Sequence, residues 1–185
     1  HRAIEIIYIQ TGALTVTVES HMQELTAGQC ILINSNVVHS TQCTIPNTAI
    51  VFQIPLDFIE TYIPQVRSLL FHLPEGSADP KERTKLDIFK NTLEKMQIAN
   101  DMQPDGFLLR FNSLLFEVLF QLYHSFSTKV MHSDFSKKKK ELDRLNPVLQ
   151  YTTEHYNEPI SIQEIADVAC LQPGYFCRFF KSNMG

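Results

Sequence analysis

Near the end of the chain two cationic side chains stand three residues apart, Arg178 and Lys181, in a stretch that also holds Gly174 and Cys177. On a helix, Phe176, Phe179 and Phe180 turn inward together, which leaves those four residues outside. An outward arginine can reach guanine edges in a major groove, while a lysine is better suited to phosphate. That chemistry is recognition, not bond-making. No Gly-rich phosphate loop, no G-x-S-x-G and no HExxH occurs, and catalytic carboxylates cannot be told from surface acids, so no enzyme activity is expected. His72, His124, His132 and His155 show no ligand spacing and read as surface or helix residues. Cys30, Cys43, Cys170 and Cys177 form no CxxC pair and read as reduced thiols.

Three short helices are needed to position Arg178. Pro147 opens the first, which ends near Tyr156 before the break Asn157-Glu158-Pro159. Ser161-Ile162-Gln163-Glu164 has the form of a capping box, so a second helix is expected over Ile162 to Ala169. Cys170-Leu171-Gln172 makes a turn, and Pro173 opens the third helix, through about Asn183. With Ile162, Ile165 and Ala166 facing Phe176, Phe179 and Phe180, this reads as a helix-turn-helix in which Ala166 leaves room for the crossing. Another small three-helix domain would give the same pattern.

The front of the chain reads as strands. Ile4 to Ile9, Leu14 to Val18, Cys30 to Ile33 and Ala49 to Phe52 are β-branched and aromatic runs separated by turn signals, which predicts an antiparallel sandwich or barrel. Alternation places Glu5 on one face with Ile7 and Ile9. Two amphipathic helices follow, about Pro80 to Ala99 and about Pro104 to Phe126. The second is apolar around much of its girth and must be covered either by its own subunit or by a partner; Phe111, Leu115, Val118 and Leu122 are expected to form a dimer interface. Ser127 to Arg144 is polar, with Lys137-Lys138-Lys139-Lys140 at its centre, and is expected to be a solvated linker, although a basic run can also touch phosphates.

Taken whole, 16 Lys+Arg against 20 Asp+Glu, a net charge of -4, argue against nucleic acid as a partner. The halves differ, however: residues 1–128 hold 8 basic and 13 acidic side chains, a balance of -5, and residues 129–185 hold 8 and 7, a balance of +1. No run of about 18 apolar residues and no signal peptide is evident, so no membrane contact and a cytoplasmic location are expected.

Pro159 to Ala169, then Leu171 to Lys181 and Gly185, closely resemble the first helix-turn-helix of AraC-type transcription regulators over some 27 residues. Cys170 stands where glycine is common, and Gln172 replaces the usual serine cap. The resemblance implies promoter DNA as partner, with Gln172, Gly174, Cys177, Arg178 and Lys181 at the DNA, and Arg178 carrying most of the base reading. His1, Glu5 and Gly12 fit the second half of the first cupin motif, and Gly28 with His39 the spacing of the second, although Asn34 and Asn36 stand at its usual Pro and Gly. In cupin enzymes such residues bind metal; in AraC-type sensors the fold commonly holds a small ligand or nothing. His1, Glu5 and His39 therefore imply an effector pocket, a sugar being one candidate, with a structural polar pair or a metal site for Fe, Mn or Zn as alternatives. The expected class is α+β: a cupin-like barrel lacking its first strands over 1–56, a helical dimerisation segment over 57–128, a linker over 129–144, and an incomplete helix-turn-helix domain over 145–185. A homodimeric, ligand-controlled regulator without cofactor is expected, with a metal-dependent cupin enzyme or a ligand-free dimerisation module as alternatives.

Overall fold

In a computed structural model of the chain, which describes residues 3–19, 21–129 and 144–184, strand β1 (Ala3–Thr11) organises the first half. It is apolar at both parities, and both of its faces are covered. Ile4, Ile6 and Tyr8 join a core with the helices, while Ile7 and Ile9 join a second core with Val16, Leu25 and Ile33. β1 runs antiparallel between β4 (Cys30–Ile33) and β6 (Thr48–Pro55). A second three-stranded sheet places β2 (Ala13–Val18) between β3 (His21–Thr26) and β5 (His39–Gln42). The second core includes residues from both sheets.

Strands β3 and β5 are absent from the sequence-based expectation. In β3 all but Leu25 are exposed, and β5 reads His-Ser-Thr-Gln, so neither carries an apolar alternation; their pairing to β2 makes them strands. A short helix, α1 (Leu56–Tyr62), follows β6, and β7 (Leu69–Phe71) pairs with β8 (Ser127–Lys129). The polar stretch expected to be linker from Ser127 thus begins as a strand. Its run of four lysines lies outside the described residues.

Helices α2 (Pro80–Met102) and α3 (Phe107–Ser125) pack against the outer face of the β1 sheet. Asp79 caps α2 by accepting from the Lys81 N–H at 2.9 Å, with Pro80 at the first helical position. Phe89 lies at the centre and meets Phe126 edge-on at 5.5 Å. One core therefore runs across the expected boundary at residue 56. Polar contacts fix α2 on the sheet. The Tyr8 hydroxyl donates to Glu94 at 2.6 Å; burial and that carboxylate push its pKa up to about 12. The Glu75 carboxylate accepts from the Cys30 N–H at 2.7 Å and pairs with Lys90 at 2.6 Å. Burial first, and Glu75 second, push the Cys30 thiol well above its ordinary range, which keeps it protonated.

The chain divides near residue 130 into two compact units. The second contains α4 (Asn146–Glu154), α5 (Ile162–Val168) and α6 (Pro173–Met184) around Leu145, Val148, Ala166, Ala169, Phe176 and Phe179. The capping box is present: Ser161 Oγ accepts from Glu164 N–H at 3.2 Å, and Glu164 accepts from Ser161 N–H at 2.7 Å. Ile162, expected in this core, is 57% exposed. Between α5 and α6, Cys170 takes a left-handed conformation (φ 54°), the geometry for which glycine would be the unstrained residue.

Candidate functional site

Glu5 is 7% exposed and lies on β1 opposite Ile33 of β4 and Gln53 of β6. A buried carboxylate needs partners, and two are in place. Gln53 Nε2 donates to Glu5 Oε2 at 2.6 Å, and His39 Nε2 stands 3.5 Å from Glu5 Oε1. Glu5 belongs to one sheet and His39 to the other, so the pair bridges the space between them. His39 Nδ1 donates to the Val37 carbonyl at 3.0 Å; a carbonyl only accepts, so this nitrogen carries a proton and the ring presents Nε2 to the carboxylate. The arrangement is a buried carboxylate with an amide donor on one oxygen and an imidazole beside the other.

His1, the third residue of the expected site, lies outside the described residues. Glu5 and His39, 34 positions apart, are brought together. Gln53 was not anticipated; its signal is a single amide in the apolar run Ile50-Val51-Phe52-Gln53-Ile54. Among the described residues no group of three or more His, Cys, Asp or Glu side chains is placed to hold a metal ion. Among the described residues, Glu5 and His39 supply two ligands of the imidazole-carboxylate type.

In the second unit, Gln172, Gly174, Cys177, Arg178 and Lys181 are all exposed along α6 and its entry, while Phe176 and Phe179 are buried. The Gln172 carbonyl accepts from Tyr175 and Phe176 N–H groups at 3.0 and 2.8 Å, which starts the helix. Tyr175, unmarked in the sequence reading, is exposed one helical turn before Arg178 and stacks on Phe179 at 6.1 Å. Arg144 lies over the Phe179 ring at 5.6 Å. The outer face of α6 thus joins a guanidinium, an ammonium and a phenol.

The expected dimer residues are placed differently. Val118 and Leu122 are each 1% exposed within the chain's own core, and Phe111 and Leu115 pack against that core. The broadest apolar stripe of α3 is the one that seats the helix on the sheet. Its opposite face carries Leu109, Phe116, Phe120 and Tyr123, all exposed; Phe116 meets Tyr62 of α1 edge-on at 4.8 Å. Spaced over four turns, these side chains form an apolar surface available to another molecule.

Residues 1–54 match the cupin domain family. The chain is also similar to the probable transcriptional regulator LumQ of Photobacterium leiognathi, at 25% identity over 195 residues, covering 100% of this chain and 67% of that protein. No solved structure matches. Among the described residues no helix is long and apolar enough to cross a membrane.

Proposed function

We propose that this chain carries the sensing sheets and a helix-turn-helix of a ligand-responsive transcription regulator of the AraC type, acting in the cytoplasm as a homodimer without catalysis or cofactor. The observation that carries this reading is α6: a helix whose aromatic residues are buried and whose outer face presents Arg178 and Lys181 beside small neighbours that leave room for a groove wall. α5 and its tight turn supply the partner helix of a helix-turn-helix, and the similarity to a probable transcriptional regulator supports the same class. Replacing Arg178 by Ala, in the protein carrying its complete DNA-binding domain, is expected to cost about 1 to 3 kcal/mol at one base position and to relax specificity there. Equal binding to all sequences before and after the change, by fluorescence anisotropy at fixed salt, would remove Arg178 from the readout.

In this reading the cupin-like sheets form a barrel whose Glu5–His39–Gln53 cluster binds a small hydroxylated effector, such as a sugar, through the carboxylate and the imidazole. The effector acts by binding one arrangement of the DNA-binding modules better than another, across residues 129–144. Two copies pair through the exposed face of α3. Phe116→Glu with Phe120→Glu is expected to halve the mass measured by light scattering and leave the helical content unchanged; a dimer that persists would place the interface elsewhere. One observation favours a metal-dependent cupin instead, the meeting of Glu5 with His39. Stoichiometric metal in the purified protein, lost in His39→Ala, would decide for that alternative.

A further inference from the structure

Strand β4 is an edge of its sheet, and its free side is covered in an unusual manner. Asn34, just past its end, places its side-chain amide against the backbone of Phe71: Nδ2 donates to the Phe71 carbonyl at 2.8 Å, and Oδ1 accepts from the Phe71 N–H at 2.9 Å. At the other end of β4, Glu75 accepts from the Cys30 N–H. Residues 30 and 34 thus face 75 and 71, an antiparallel register held by side chains in place of a backbone ladder. Phe71 turns toward Asn34, and the next residue, His72, turns the other way, its N–H donating to the Phe126 carbonyl at 2.9 Å beside β8.

The same asparagine is tied to the Glu5–His39 pair. The Asn34 carbonyl accepts from the Val37 N–H at 3.3 Å, and the Val37 carbonyl accepts from His39 Nδ1 at 3.0 Å. Asn36, in the left-handed region (φ 61°), closes this turn. On its other side Asn34 follows Ile33, the register partner of Glu5. From the imidazole the contacts therefore run through Val37, Asn34 and Phe71 to β8, the strand that precedes residue 130.

We propose that Asn34 couples the Glu5–His39 site to β8, so that a change in the position of the His39 ring alters the hold of the side-chain seam on β7 and β8. This rests on the reading of Glu5–His39 as the sensing site. A bidentate side-chain clasp is suited to such a role, because it is made or lost as a unit and touches backbone on only one side. Asn34 is a positioning residue here and contacts no effector.

The test is a double-mutant cycle read by amide hydrogen exchange on the whole chain. His39→Ala is expected to speed exchange at Phe71, His72 and residues 127–129 about fivefold or more, in line with ordinary coupling between sites. In an Asn34→Ala background the same change is expected to add less than about twofold, while amides of the β2–β3 pair stay unchanged in both. Asn34→Asp, which keeps the acceptor and loses the donor, serves as an isosteric second variant and should give an intermediate coupling. No response of β8 to His39→Ala, or an equal response with and without Asn34, would overturn the relay. Thermal-shift measurements with a panel of monosaccharides report separately on the sensing reading: absence of any shift counts against a sugar effector and leaves the exchange result intact.

Discussion

Gly12→Ala is expected to destabilise the first unit by about 3 kcal/mol, combining roughly 1 to 2 for a left-handed L-residue with about 1 to 3 for overpacking. Gly12 lies between β1 and β2 at φ +75°, where a side chain is already disfavoured. A Cβ there would collide with the Pro46 carbonyl oxygen and stand 2.9 Å from the Asn47 Cα. Both are backbone atoms, so no rotamer change relieves the contact. The opposing loop is anchored in turn by Asn47, whose Nδ2 donates to the Ala13 carbonyl at 3.0 Å. Gly28 provides the comparison: its φ of +84° is similar, but nothing lies within 4 Å of its would-be Cβ. Gly28→Ala should therefore cost only the conformational part, about 1 to 2 kcal/mol. Urea unfolding followed by far-ultraviolet circular dichroism measures both, and equal losses would refute the steric argument. Of the two glycines that fit cupin-motif spacings, Gly12 is thus explained by a close approach of two backbone segments and Gly28 by its left-handed conformation alone.

The second large effect concerns neighbouring positions of α3. Leu122→Ala is expected to cost about 2 to 5 kcal/mol, because Leu122 is fully enclosed and its removal leaves a cavity between α3 and the β1 sheet. Phe120→Ala, at a position 57% exposed, should change the stability of the isolated subunit by about 0.5 kcal/mol or less. Thermal unfolding at protein concentrations too low for association separates the two. A loss for Phe120→Ala as large as that for Leu122→Ala would mean that the packing of α3 differs from that described. The contrast also changes how a dimer should be probed: Leu115 packs on the core, so a charge placed there would damage folding before it tested association.

These two helix faces show why part of the molecule was legible and part was not. A 3.6-residue period reports that a helix has an apolar stripe, and α2 and α3 were readable within a few residues of their ends. It does not report what covers the stripe. The sequence pattern points Phe111, Leu115, Val118 and Leu122 at a partner chain, whereas a helix first satisfies its own core, and the exposed Phe116 and Phe120 carry no mark in that pattern. β1 was legible because six successive residues carry apolar or aromatic side chains or the buried Glu5, whereas β3 and β5 owe their conformation to pairing with β2. The α5 capping box was readable because both of its hydrogen bonds are local. Glu5 and His39 stood out by residue type and spacing, but Gln53 and Asn34 act through partners 48 and 37 residues away, separations that no local pattern encodes.

The seam along β4 has one further consequence, for how such a protein can change over generations. Backbone hydrogen bonds are common to nearly every residue type, so an ordinary ladder between two strands survives most substitutions. Along β4 the contacts to residues 71 and 75 are written in two side chains, Asn34 and Glu75. A single codon change can delete or restore either one without redrawing the fold. The junction between the sheet and the β7–β8 pair is therefore a place where descendants of this sequence could tune the attachment in small heritable steps.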